Sequence, residues 1–471
     1  MRWAVPLLMI AMLAGCADEA EPVEPQEPAP PSPVSGVFHS ADGVAVPGPA
    51  TAPTPASVLT GFSSFEPTIG VTSSGALFMS NSEGVAVVDH SSIVRSEDGG
   101  ATWQDITPKL GPVSTPPTST DPFIYVDQAT DRVYNLDMEG LNCNYIQWSD
   151  DDGETFTGHP LGCGQPPVLD HPSLFSAPPR TLQTVGYDNV LYLCVNRVAD
   201  AACAVSLDGG LVFTPFRTVF PEVPPSDGTT PQAGCGGLSG HGVGGPDGRA
   251  YLGRSHCGAP MVAVTEDDGL TWTARAVSTE FDASGHDIEV AVDAAGNVYA
   301  LWRDQDWDLR LAVSQDHGQS WGPALNVTAP GVNTAVFPAI AAGDDGRIAF
   351  TYYGTDSSVP QSDMDPTVAW SGYLTIAVNA TDAEPVFQTT VFEEVIARGP
   401  CDDDNRCNGV GDFVDIVIDN EGRPWAGVVD VCHDACNEDT GNDDAIARVG
   451  TLRTGLALRG PLEPLAPLAS F

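Results

Sequence analysis

Five short segments of this chain repeat one arrangement: a hydroxyl residue, Asp two positions later, Gly two after that, then a mostly hydroxyl position followed directly by an aromatic. They run Ser96–Trp103, Ser149–Phe156, Ser206–Phe213, Thr265–Trp272 and Ser314–Trp321, with starts 49 to 59 residues apart. Five matches at fixed internal spacing constrain the fold more than any composition could. The chemistry is that of a hairpin turn. The Asp residues (Asp98, Asp151, Asp208, Asp267 and Asp316) accept local backbone hydrogen bonds, Gly takes positive φ, and the aromatic opens the outgoing strand and packs beneath it. These residues build a turn and do no catalysis.

A second unit lies upstream of each segment: an apolar strand, a turn with Asp or Gly, and a second apolar strand ending near an aromatic. It occurs seven times, at Phe65–Phe78, Asp121–Tyr134, His171–Tyr192, His241–Tyr251, His286–Tyr299, Phe337–Phe350 and Asp412–Trp425. The last two carry no recognisable turn segment. Two strands from this unit and two flanking the turn make a four-stranded sheet. Repeats of about 50 residues without helical period point to radial blades, so the expectation is an all-β, seven-bladed β-propeller, with six blades as the alternative.

The repeated turn resembles the Asp-box, or BNR repeat, of the sialidase-like β-propeller superfamily, and the resemblance spans residues 60 to 455. It implies turns set away from the ligand-binding face. In sialidases three arginines grip a substrate carboxylate, a tyrosine paired with a glutamate is the nucleophile, and an aspartate is the acid/base. Those enzymes carry an aromatic-Arg-Ile-Pro motif in the first blade, where this chain has Phe65-Glu66-Pro67. A glutamate there repels a sialate carboxylate, so the catalytic set does not carry over residue by residue.

The channel face still gathers polar residues. Glu66, Asp121, His171, His241, His286 with Asp287, and Asp412 precede first strands, while Asp137, Arg197, Arg254, Arg303 and Tyr353 follow or end second strands. The catalytic candidates are Glu66, Arg254, Arg303, Tyr353 and Asp287; the ligand-binding candidates are Asp137, His171, Arg197, His241, His286 and Asp412. Pairing of the arginines with surplus carboxylates is the competing reading. Three functions stay open: a non-catalytic propeller binding a glycan or protein, an extracellular exo-sialidase-like glycoside hydrolase or polysaccharide lyase, and a structural role in an envelope assembly.

At the N-terminus Arg2 precedes an apolar stretch, Trp3–Leu13, too short for a permanent span. Leu13-Ala14-Gly15-Cys16 resembles a bacterial lipobox, which implies a signal peptide over 1–15, acylation of Cys16 and a lipid anchor in the cell envelope, with outer-membrane sorting. Residues 16–57, rich in Pro, Ala and Glu, read as a disordered tether. A single propeller over 58–460 and a tail over 461–471 complete the expected organisation, as a monomer.

With 63 acidic and 19 basic residues the formal charge is −44. That excludes nucleic acid as a partner, since its binding depends on basic side chains replacing counterions. Clustered acids in Cys401–Cys407, above all Asp402 and Asp404 with Asp412 nearby, suit calcium, the one cofactor considered, against a solvated acidic loop. Ten cysteines remain beside Cys16. In an oxidising compartment disulfides are the expectation. Cys194 and Cys203 flank a hairpin turn and would face each other; Cys143 with Cys163 and Cys235 with Cys257 are plausible locally, and the pairing of Cys401, Cys407, Cys432 and Cys436 is open, zinc being the alternative.

Overall fold

A computed structural model describes residues 37–46, 52–81, 92–108, 121–161 except 140–142, 169–220 except 198–199, 237–284, 288–359, 363–401, 407, 409–433, 436 and 444–468. They belong to one compact unit, 33–471. Among the described residues the strands form seven antiparallel sheets, six of four strands and one of five; five of them are meanders in chain order, and the other two each add a strand from the N-terminal end of the chain. The fold is a seven-bladed β-propeller.

Blade one uses Ile69–Val71, Leu77–Asn81, Ser92–Ser96 and Gln104–Asp105, and blades two to five repeat the plan over Phe123–Leu161, Asp170–Thr218, Val243–Ala276 and Glu289–Asn326. Blade six spans Thr334–Arg398, and blade seven takes three strands from Asp415–Thr454. The fourth strand of blade seven comes from the other end of the chain: Thr54–Ser63 pairs antiparallel with Ile446–Thr454, Val58 opposite Val449. Such a closing strand joins the ends of the ring. Val37–His39 pairs with Phe387–Thr389 as a fifth strand of blade six.

The folded region therefore starts earlier than position 58, because the segments Val37–His39 and Thr54–Ser57, inside the expected tether, carry apolar residues that each complete a sheet. The expected tail is likewise partly built in: Leu465 is buried and its amide donates to Gly455 O at 2.8 Å. Residues 1–36, with Cys16 and the expected signal peptide, lie outside the described residues.

Middle strands such as Val190–Asn196 are buried along their whole length. Blades stack face to face, so a second strand is covered on both sides, and its sequence reads as a continuous apolar run instead of alternating. The core is thus a ring of inter-blade layers; one joins Leu77 and Met79 of blade one to Trp425 and Val449 of blade seven. The first strands of all seven blades line one central channel of about 610 Å³. They approach closely there: a β-carbon on Gly244 would sit 1.9 Å from Ser176 O.

The repeated segments close the third strand onto the fourth in blades one to five, and the turns share one hydrogen-bond pattern. In the first, Ser96 Oγ donates to Asp98 Oδ1 (2.9 Å), and Thr102 donates to the same carboxylate from its amide (2.9 Å) and hydroxyl (2.6 Å). The residue after each Asp takes a left-handed φ, from +53° at Asp152 to +72° at Gly99. In the third turn Val212 replaces the hydroxyl residue, so only its amide reaches Asp208 (2.9 Å). The turns also bind neighbouring blades. Asp268 accepts from the amides of Arg180, Thr181 and Leu182 at 2.9, 2.6 and 2.7 Å, and Tyr134 Oη donates to Gly209 O at 3.2 Å. Because Arg180–Leu182 connect a first strand to a second, these turns lie at the opposite end of the channel from the residues that open the first strands.

Cys194 and Cys203 are bonded across the second and third strands of blade three, as directly facing register partners. Cys401–Cys407 and Cys432–Cys436 are also disulfides, which resolves the open pairing and removes the zinc alternative. Cys257 is disulfide-bonded too; Cys235 and Cys163, and the side chain of Cys143, lie outside the described residues.

Candidate functional site

Where first strands begin, three residues that precede prolines, Glu66, His171 and Phe337, have φ of +53°, +49° and +50°. Non-glycine residues pay of order 1–3 kcal/mol for that region, and a following proline restricts them further. The pairing register breaks at the same points, between Asp170 and Ser173 and between Val336 and Ala339. These local bulges re-aim side chains at the channel mouth.

Glu66, of blade one, is 1 % exposed and ties three blades together. Its Oε1 accepts the Asp412 amide of the blade-seven approach at 2.9 Å, its carboxyl is hydrogen-bonded to that of Asp121 at the entry to blade two, and its amide donates to Val410 O at 3.1 Å. Burial, then the charges of Asp121 and Asp412, hold the Glu66 carboxyl well above the usual range. Asp121 Oδ2 in turn accepts the His171 amide at 3.0 Å.

His171 and His241, from blades three and four, stack with centroids 5.9 Å apart, and the Phe413 ring packs nearly perpendicular to both at 4.7 and 4.9 Å. Phe123 meets His241 edge-on at 5.1 Å. Below them Glu289 Oε1 accepts the His241 amide at 3.3 Å, and Asp415 Oδ1 lies 3.7 Å from His241 Nδ1. Burial opposes a charged His241, yet Glu289 and Asp415 outweigh it and raise its pKa; burial pushes Glu289 up to about 7. Sequence reasoning left Glu289, Asp415, Phe123 and Phe413 out of the candidate set. Their signal was a charge at the head of an apolar strand, Glu289-Val-Ala-Val and Asp415-Ile-Val-Ile.

Glu66, His171 and Asp412, all buried, and the partly buried His241 thus gather into one cluster across the mouth. The remaining candidates are held elsewhere. Tyr353, fully buried, donates its hydroxyl to Val429 O (2.7 Å) and accepts the Val429 amide (2.9 Å), so it joins blades six and seven. Arg197 forms a two-pronged ion pair with Asp200, at 2.8 and 2.6 Å. Arg254 donates to Gly237 O at 3.0 Å over the Phe220 ring, and Arg303 stacks on Trp307 at 4.1 Å. Asp137 accepts from Asn135 (3.0 Å) and Gln147 (3.1 Å) within blade two. His286, Asp287, Asp402 and Asp404 lie outside the described residues. Among the described residues no group of three His, Cys, Asp or Glu side chains is arranged to hold a metal ion.

No family model matches the chain, and no curated protein matches it. Solved structures do. BP39L lectin from Burkholderia pseudomallei aligns with a TM-score of 0.54 at 9 % identity, over 86 % of this chain and 99 % of that one. A protein of unknown function from Dyadobacter fermentans aligns at 0.44 and 14 % identity, over 84 % and 98 %. The NanB sialidase of Streptococcus pneumoniae aligns at 0.43 and 11 % identity, over 83 % and 70 %. The likeness is one of fold.

Proposed function

We propose that this protein is a non-catalytic binding propeller that takes a glycan on its mouth face, displayed at the cell envelope by acylated Cys16. The supporting observation is the engagement of Tyr353, whose hydroxyl both donates to and accepts from the Val429 backbone. A nucleophile needs a free oxygen beside a base. Arg197 is likewise committed to Asp200, while Arg254 and Arg303 rest on different aromatic rings, so the described arginines do not form a clamp for one carboxylate. The fold is shared with a protein named as a lectin.

A glycan array and a panel of chromogenic glycosides, run on the full-length protein with Arg254→Ala beside it, test the reading. Saturable glycan binding without chromophore release is the expected result, retained in Arg254→Ala because that arginine is held against Gly237 and Phe220. Turnover of any glycoside overturns it. Metabolic labelling with a palmitate analogue tests the anchor, which Cys16→Ser should abolish.

A further inference from the structure

The central channel is a cavity of about 610 Å³ with unlike surfaces along its length. Its walls carry Val71, Val126, Val290, Ile340, Ile416 and Ile418. Its mouth end carries Glu289, Asp415 and His241, together with the Phe123 ring. Glu289 is 3 % exposed, and among the described residues its carboxylate accepts a single hydrogen bond, the 3.3 Å contact from the His241 amide. Asp415 accepts the amides of Ile69 (3.0 Å) and Ile416 (2.8 Å). Two carboxylates face one imidazole here, so whenever both are ionised a protonated His241 still leaves one negative charge in surplus. Among the described residues the one arginine on the channel wall, Arg459, follows Leu458, whose carbonyl accepts the Asp344 amide beyond the far end of the blade-six first strand. An uncompensated buried charge is costly and draws in either a proton or a cation.

We infer that the channel binds a linear aliphatic ammonium compound, its head among Glu289, Asp415 and His241 and its chain along the aliphatic wall. An ammonium has three donors for carboxylates that surround it loosely, and the Phe123 ring lies at the same end of the channel. A metal ion would need converging ligands, which the described residues do not offer. From Glu289 to Val292 the strand rises roughly 10 Å, at about 3.3 Å per residue, which accommodates a chain of about six carbons. Burying those methylenes contributes to affinity alongside the charge. The inference does not depend on the glycan reading, because the ligand lies inside the channel and not on its face.

Isothermal titration calorimetry of the full-length protein with n-hexylammonium tests it, with hexan-1-ol as the uncharged probe. One saturable site per chain is expected, with the alcohol at least tenfold weaker and Glu289→Gln weakening the ammonium at least tenfold. Absence of saturable heat overturns the inference. So does equal affinity for ammonium and alcohol in the unaltered protein, a comparison that holds even if Glu289→Gln does not fold. Unchanged affinity in a folded Glu289→Gln protein overturns it as well. Loss of glycan binding alone would leave this result untouched.

Discussion

Glu66 shows how one side chain can serve both seam and mouth. Its folded-state pKa lies well above the ordinary glutamate value of 4.5, so the native protein holds that proton more tightly than the unfolded chain. The resulting stability is fully present below the unfolded value and is lost as pH rises toward and through the folded one. Melting temperature should therefore fall as pH climbs above about 4.5, and Glu66→Gln, which cannot ionise, should flatten that part of the profile. A melting series of both proteins from pH 4 to pH 8 checks it, and parallel curves would remove Glu66 as the cause. Tyr353 makes the opposite case. Tyr353→Phe leaves a buried Val429 carbonyl and amide without that partner and should cost about 1–3 kcal/mol in urea unfolding, with glycan binding unchanged. Loss of binding without loss of stability would place Tyr353 in the site after all.

At the scale of the element, the repeated turn is a device for two tasks. Its Asp closes the hairpin, and in the third and fourth copies the residue after it, held at positive φ, reaches an adjoining blade. The third copy departs from the others at Val212, which is exposed and lacks the hydroxyl that reaches Asp in the first, second, fourth and fifth turns. Val212→Thr supplies that bond and should stabilise the protein by about 0.5 kcal/mol, the low end for one added hydrogen bond at an exposed site. Equilibrium urea unfolding reads the change, and a destabilised variant would show that the turn's geometry here differs from its siblings. This level was the most legible in the sequence, because a hairpin turn depends on neighbours within eight residues: hydroxyl, Asp, Gly and aromatic can be recognised without knowing what surrounds them.

For the whole molecule, closure is decided by Thr54–Ser63, which pairs with Ile446–Thr454 from the far end of the chain. Without that strand blade seven exposes an open edge and the ring loses its joint between first and last blades. A chain lacking residues 1–63 should therefore fail to give the cooperative melt of the full-length protein, measured by circular dichroism; an unchanged melt would show that the ring closes without it. Composition hid this strand. It sits next to a Pro-rich stretch, and pairing over some 390 residues leaves no local period to read.

What the sequence determined by itself is therefore what short-range chemistry can encode: an all-β chain of seven repeated units, turns stiffened by Asp, and a hairpin whose facing positions place Cys194 against Cys203. Tertiary structure alone decided which polar residues meet. Glu66, Asp121 and Asp412 come from three blades, yet the ring brings them into one buried cluster, while Arg197 and Tyr353, similarly placed along their units, are taken up by Asp200 and Val429. The physical reason is that a blade's fold depends on contacts close in sequence, whereas the channel exists only where seven first strands converge, and the charge at its mouth belongs to no single repeat.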